Sequence, residues 1–127
     1  MKLWIDDVRP APDGYVWLKS VNEVKLEILR AEQHQFMFHD EAFLKLKSYD
    51  IKGYHAMLEM CRRREIELID IDHDAGDYAY QGGDYIKLLD WLEETGRNYP
   101  IRIHSANPVG IQNMRAIIER NGWTEVK

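Results

Sequence analysis

The chain has 127 residues, 45% of them hydrophobic and 31% charged, with a formal net charge of −5. That is the size and composition of one globular domain with a single buried core. The acidic balance argues against non-specific duplex binding but is compatible with a local site for one phosphate or one nucleic-acid end.

Cys61 is the single cysteine, so no disulfide closes within the chain, and a reducing cytoplasm is the expected location. No apolar run approaches the roughly 20 residues that span a bilayer, so no membrane partner is expected. The opening MKLWIDDVRP meets acids too early to read as a signal peptide.

In chain order, Lys2–Asp7 reads as a short buried strand ending in two acids. A loop stiffened by Pro10 and Pro12 leads to a second strand, Tyr15–Lys19. Ser20 and Glu23 have the spacing of a capping box, opening a helix with Val21, Val24, Ile28 and Ala31 on one face. In Gln35–Gly53, FMF and FLKLK read as strands around the turn HDEA, an inserted hairpin. Tyr54, Met57, Leu58 and Cys61 then form a helical stripe, with Arg62–Arg64 offsetting the dipole at its end.

The next strand is EIELIDID, Glu65–Asp72. Asp84 is expected to cap a helix carrying Ile86, Leu89 and Leu92, with Leu88 flanking, that stops at Gly96. Pro100–Ala106 is a strand, and Asn107 and Pro108 supply the cap and first-turn proline of a last helix buried through Ile111, Met114, Ile117 and Ile118. Gly122 ends it, and WTEVK reads as a short terminal strand. Alternating strands and helices predict an α/β domain over 1–127 with a mostly parallel sheet. Trp4, Trp17, Trp91 and Trp123 are read as core, and nothing in the sequence supports base stacking by Trp17.

Seven residues, Val8–Gly14, separate the first two strands, a length that normally makes a hairpin. An antiparallel second strand, followed by one return to the sheet, would place Asp72 and the Asp6-Asp7 pair at opposite edges. Keeping these acids together requires a parallel second strand reached by an extended proline-rich crossover.

Three strands end in polar residues: Asp6-Asp7, Asp72-His73-Asp74, and His104-Ser105 followed by Asn107. Ligands of parallel sheets bind at this end of the strands. Clustered carboxylates repel and lose hydration, a conflict that a divalent cation resolves, and hard oxygen donors favour Mg²⁺, Mn²⁺ or Ca²⁺. Zinc is the second choice, requiring both histidines to turn inward. His73 and His104 can move protons near neutral pH, or serve as hydrogen-bonded structural groups. Asp70 is read as a surface salt-bridge residue. The glycines of QGGDY read as a tight turn into a helix.

An acidic pair after the first strand, an aspartate after a central strand and Ser-Ala after the next resemble response-regulator receiver domains. That resemblance makes Asp7, with Asp6 beside it, and Asp72 metal ligands, together with the backbone carbonyl of Asp74. Asp72 stands at the phospho-accepting position and Ser105 at that of the phosphate-binding hydroxyl. LWIDDVRPAPDGYVWLK, DHDAG and HSANPVG are closer still to the cyclic-phosphate-processing receiver-like domains. The resemblance implies a CheY-like, flavodoxin-like three-layer sandwich that has lost its first helix and gained an insertion near 35–64. It also implies processing of 2′,3′-cyclic phosphates at RNA ends. The receiver lysine has no secure counterpart, since Lys127 is the terminal residue. Lys19 and Arg9 are the favoured phosphate-binding substitutes, with Ser105 and Asn107 beside them. Three functions follow as expectations. They are a Mg²⁺- or Mn²⁺-dependent phosphoesterase on a phosphate-bearing small molecule or RNA end, a signalling receiver phosphorylated on Asp72, and a non-catalytic module that binds a protein partner or a metal.

Overall fold

In the computed structural model, which describes residues 1–36 and 41–127, strands β1 (Lys2–Ile5) and β2 (Tyr15–Leu18) lead into helices α1 (Val21–Phe36), α2 (Glu41–Tyr49) and α3 (Ile51–Arg63). Strand β3 (Leu68–Ile71), a 3₁₀ turn (Gly76–Tyr78), α4 (Ile86–Glu94), β4 (Ile101–Ile103) and α5 (Pro108–Asn121) follow. The strands form one sheet in the order β2-β1-β3-β4, with every pair parallel. This is the α/β architecture of receivers, and no helix stands between β1 and β2. The terminal strand is reduced to one parallel bridge, between Ile101 and Glu125.

By packing, the described chain divides into two compact units, Met1–Lys25 with Ile66–Lys127, and Leu26–Glu65. In the first, Leu3, Ile5, Ile69, Ile71 and Ile101 are fully buried on one side of the sheet, and Leu88, Leu89, Leu92, Met114 and Ile118 bury the apolar stripes of α4 and α5. The strand period of two sends the alternate residues to the opposite side. Trp4, Tyr15, Trp17 and Leu68 are half-buried there, and Lys2 and Arg102 are exposed. Trp4, Trp17 and Trp91 are only half-buried and therefore not core; the buried indole is Trp123.

The parallel β2 depends on how its crossover is held. Asp6 Oδ1 accepts the N–H groups of Val8 (2.9 Å) and Arg9 (2.8 Å), turning the chain without a helix. The indole N–H of Trp4 donates to the Arg9 carbonyl at 2.9 Å, and that of Trp17 to the Asp6 carbonyl at 2.7 Å.

The start of α1 carries the expected cap. Ser20 Oγ accepts the Glu23 N–H at 3.1 Å, and Glu23 reaches back to the Lys19 N–H, one residue before the usual capping-box donor. Val21, Val24, Ile28 and Ala31 are all buried. Asn107 caps α5, with Pro108 opening its first turn and Gly122 closing it at φ 66°. Asp84 does not cap α4: its carboxylate accepts the Ala75 N–H at 3.1 Å, and the buried stripe starts at Tyr85 rather than Ile86.

In the second unit, α2 and α3 pack on each other, and Asp50 caps α3 through the Gly53 N–H. The expected hairpin is corrected here: Phe43–Lys47 lies within the helix α2. Five residues are too short a window for alternation to decide, and Leu, Lys and Ala favour a helix. Of the expected strand Phe36–Phe38 and turn His39–Ala42, residues 37–40 lie outside the described residues.

Candidate functional site

Backbone pairing brings the strand ends together. Beyond the strands proper, the Asp6 N–H donates to the Leu18 carbonyl (3.3 Å), Asp72 to Ile5 (2.9 Å) and His104 to Ile71 (2.9 Å). Lys19, Asp6, Asp72 and His104 thus follow their strands onto one edge of a parallel sheet, where side chains past the last ladder bond are free to converge.

One half of this edge is internally satisfied. Asp6 is fully buried, and besides the two loop N–H groups on Oδ1 its Oδ2 lies 3.0 Å from His104 Nε2. The other ring nitrogen, Nδ1, lies 2.6 Å from Asp70 Oδ1, so one imidazole joins two buried carboxylates. The Trp4 indole stacks on the same ring at 3.7 Å with the planes 4° apart. Burial pushes the Asp6 carboxyl up, but the N–H groups of Arg9 and Val8 and then His104 outweigh it, holding the group below its ordinary range. Asp70 is corrected from a surface residue to a fully buried one. Its Oδ2 has no hydrogen bond among the described residues, and Arg102 Nη1 is 3.8 Å away.

The other half is in conflict with itself. Among the described residues, Asp6, Asp7 and Asp72 each offer a carboxylate oxygen, and these atoms lie within 4.8 Å of one another. Burial pushes the Asp7 carboxyl above its ordinary range; its own backbone N–H opposes this, and the charges of Asp6, Asp72 and Asp74 add to it. A Cβ on Gly76, which has φ 54°, would collide with the Asp7 carboxylate, so only glycine lets the loop after β3 close over it. Three hard oxygen donors this close, one of them raised by burial and like charge, fit a divalent cation.

The loop after β3 is built from the DHDAG residues. The His73 N–H donates to Asp72 Oδ1 at 2.7 Å, and its ring Nδ1 lies 2.9 Å from Asp74 Oδ1. Gly110 in the first turn of α5 faces the His73 ring, and a Cβ there would strike it. Ser105 Oγ accepts the Asn107 N–H at 3.1 Å, setting both residues at the opening of α5. Arg9 Nε is 3.9 Å from Asp6 Oδ2, at the rim. The Lys19 ammonium sits 4.5 Å from the centre of the Trp17 ring and 5.7 Å from that of Tyr78. Lys127 lies with Glu125 at 3.8 Å, and its side chain is 78% exposed.

Several residues here escape sequence reasoning. Tyr85 is fully buried and donates its hydroxyl to the Lys19 carbonyl at 2.7 Å, fixing the backbone beneath that ammonium. Burial, then the charges of Asp7, Asp6 and Asp72, push its phenol well above the usual range, so it stays a donor. Tyr78 and Trp4 act through ring contacts that no spacing announces. Asp70 alone carried a signal, an acid at a core position of an apolar strand.

Fold and strand-end acids together define a receiver-type domain. The model of the family described as cyclic-phosphate processing receiver domain matches residues 1–120, and the chain belongs to that family. No curated protein and no solved structure matches the chain.

Proposed function

We propose that the domain holds Mg²⁺ or Mn²⁺ at its acidic edge and processes a cyclic phosphate, taken here as the 2′,3′-cyclic phosphate at an RNA end. The observation that carries this reading is the meeting of the Asp6, Asp7 and Asp72 carboxylates within 4.8 Å, with Asp7 raised by burial and like charge. Asp7 and Asp72 would hold the cation, with Asp6 beside them and the Asp74 carbonyl as a further donor. Once bound, the cation would neutralise phosphate charge and polarise the phosphorus–oxygen bonds. All-oxygen donors favour these metals over zinc, and both ring nitrogens of His104 already face carboxylates.

Opening the ring joins a water oxygen to phosphorus and breaks one phosphorus–oxygen bond to the ribose. One proton leaves the water and one reaches the departing ribose oxygen. His73 is the better proton carrier, because its Nε2 has no hydrogen-bond partner among the described residues, whereas His104 serves to fix Asp6. Asp72 is ligand or nucleophile. Lys19 and Arg9, with Ser105 and the Asn107-capped start of α5, would receive the phosphate oxygens. Lys19 has the stronger claim over Lys127, since rings and a fixed backbone hold it at the edge. Action in the cytoplasm belongs to the same proposal. Among the described residues, no helix is long and apolar enough to cross a membrane.

The test is thermal unfolding with increasing Mg²⁺ or Mn²⁺, native chain against Asp72→Asn, followed by incubation with 2′,3′-cyclic nucleotides and, separately, acetyl phosphate. Metal stabilisation lost in Asp72→Asn, with ring opening of the cyclic nucleotide, supports the reading. Covalent labelling of Asp72 by acetyl phosphate without ring opening assigns the site to signalling. Indifference to millimolar metal leaves a non-catalytic binding module.

A further inference from the structure

We infer that the sheet face carrying Trp4, Tyr15 and Trp17 is a stacking platform for the bases of single-stranded RNA, leading the 3′ end into the acidic edge. The inference rests on the proposed cyclic-phosphate reading for its direction along the strands and adds to it a subsite for the nucleotides behind the phosphate.

The register supplies the platform. Trp17 pairs with Trp4, Trp4 with Asp70, and Asp70 with Arg102, so these residues form one row across the sheet. One row back, Tyr15 pairs with Lys2 and Lys2 with Leu68. One row forward lie Lys19, Asp6, Asp72 and His104, which is the acidic edge itself. The opposite side of β1 and β3 carries fully buried aliphatic residues, whereas the three rings on this side are only half-buried. No helix between β1 and β2 covers them.

Chemistry then selects the occupant. Apart from Leu68, this surface offers aromatic rings fringed with cations; Trp4 is stacked on His104 and stands edge-on to Tyr15 at 5.9 Å, which leaves Trp17 and Tyr15 as the rings for a ligand. Lys2 Nζ lies 5.7 Å from the centre of the Tyr15 ring, and Lys19 Nζ 4.5 Å from that of Trp17. Arg9 and Arg102 are each about half exposed at the margins. Of the acids on the same face, Asp6 and Asp70 are buried and engaged with His104, and Asp72 lies at the acidic edge itself. A chain of net charge −5 thus presents positive charge and aromatic rings together on this surface, the pairing that receives a phosphate backbone and its bases. Successive rows are two residues apart, roughly 6–7 Å along a strand. The terminal base falls on Trp17 and the preceding base on Tyr15, with Lys2 and Arg102 toward the backbone.

Tyr15 is the diagnostic position, because it is outside the acidic edge and holds no part of the metal site. The experiment measures fluorescence anisotropy of labelled hexa-adenylate ending in a 2′,3′-cyclic phosphate or a 3′-hydroxyl, with native chain, Tyr15→Ala, Tyr15→Phe and Asp72→Asn. Adenosine 2′,3′-cyclic phosphate serves as a competitor too short to reach Tyr15. Removing one stacking ring should weaken hexa-adenylate by about tenfold, Tyr15→Phe should bind as the native chain does, and the mononucleotide should compete equally in both. If Tyr15→Ala binds both oligonucleotides as tightly as the native chain, or if no oligonucleotide binds the native chain, the platform is overturned and the face is left to a protein partner. If Tyr15→Ala weakens both oligonucleotides equally while the native chain ignores the cyclic phosphate, the platform stands and the cyclic-phosphate reading falls. Melting curves of the variants exclude loss of fold as the cause.

Discussion

Asp6 and Asp7 are neighbours in sequence and opposites in environment. Asp6 is surrounded by donors: two loop N–H groups, the imidazole of His104 and the rim guanidinium of Arg9. Asp7 is surrounded by acids: burial raises its carboxyl, and the charges of Asp6, Asp72 and Asp74 add to that. The first half of the edge builds the fold, since Asp6 turns the crossover that would otherwise need a helix. The second half holds like charges close together. Adjacent residues of one type can thus sit in opposite electrostatic environments.

Removing the satisfied half should do the most damage. Asp6→Ala strips acceptors from two loop N–H groups and a partner from His104, and is expected to cost about 3–5 kcal/mol, read as the urea unfolding midpoint. His104→Leu leaves two buried carboxylates facing an apolar group, a loss of about 2–4 kcal/mol. Adding Asp70→Leu to it should cost less than the sum of the single changes, because the two residues share one interaction. Additive losses would mean that the His104–Asp70 bond contributes nothing.

The unsatisfied half should respond with the opposite sign. Asp7→Asn removes repulsion and should raise the melting temperature of the metal-free chain by a few degrees, roughly 1 kcal/mol of stability, while abolishing stabilisation by Mg²⁺. A drop in melting temperature would show that Asp7 is held by its neighbours rather than strained by them.

The pH dependence separates the two halves further. The Asp6 carboxyl lies below its unfolded value, so its stabilisation is present above that value and is lost as pH falls through the folded one. The Asp7 carboxyl lies above its unfolded value, so folding binds a proton between the two, and rising pH through that window weakens the metal-free chain. The advantage of Asp7→Asn over the native chain should therefore be widest at neutral pH and close under acid, in melts with chelator. Smallest of all, Lys127→Ala breaks an exposed pair with Glu125 and should change stability by less than about 0.5 kcal/mol. It should leave the response to metal unchanged, and a lost response would put Lys127 in the site.

Much of this was legible in residue order. The helix starts at Ser20 and Asn107, the stop at Gly122 and the stripes of α3 and α5 follow from local rules, because caps and helical periods act within a few residues. The parallel second strand was reachable by asking which topology keeps the acids on one edge, and the acid-rich strand ends themselves announced a site. What escaped detection depends on contacts across the sheet. Phe43–Lys47 alternates like a strand yet sits in α2, since a short window leaves propensity and packing to decide. Asp84 has the look of a cap, but the loop after β3 brings Ala75 to its carboxylate. Asp70 reads as an ordinary strand acid until His104, from another strand, bonds to it. Outside the 35–53 segment, sequence determined most of the elements, and with them the acidic edge and the family, because those depend on residue type and near spacing. Tertiary structure alone decided which acids are satisfied, which are strained and which side of the sheet carries the half-buried rings, because these depend on neighbours that only the assembled strands provide.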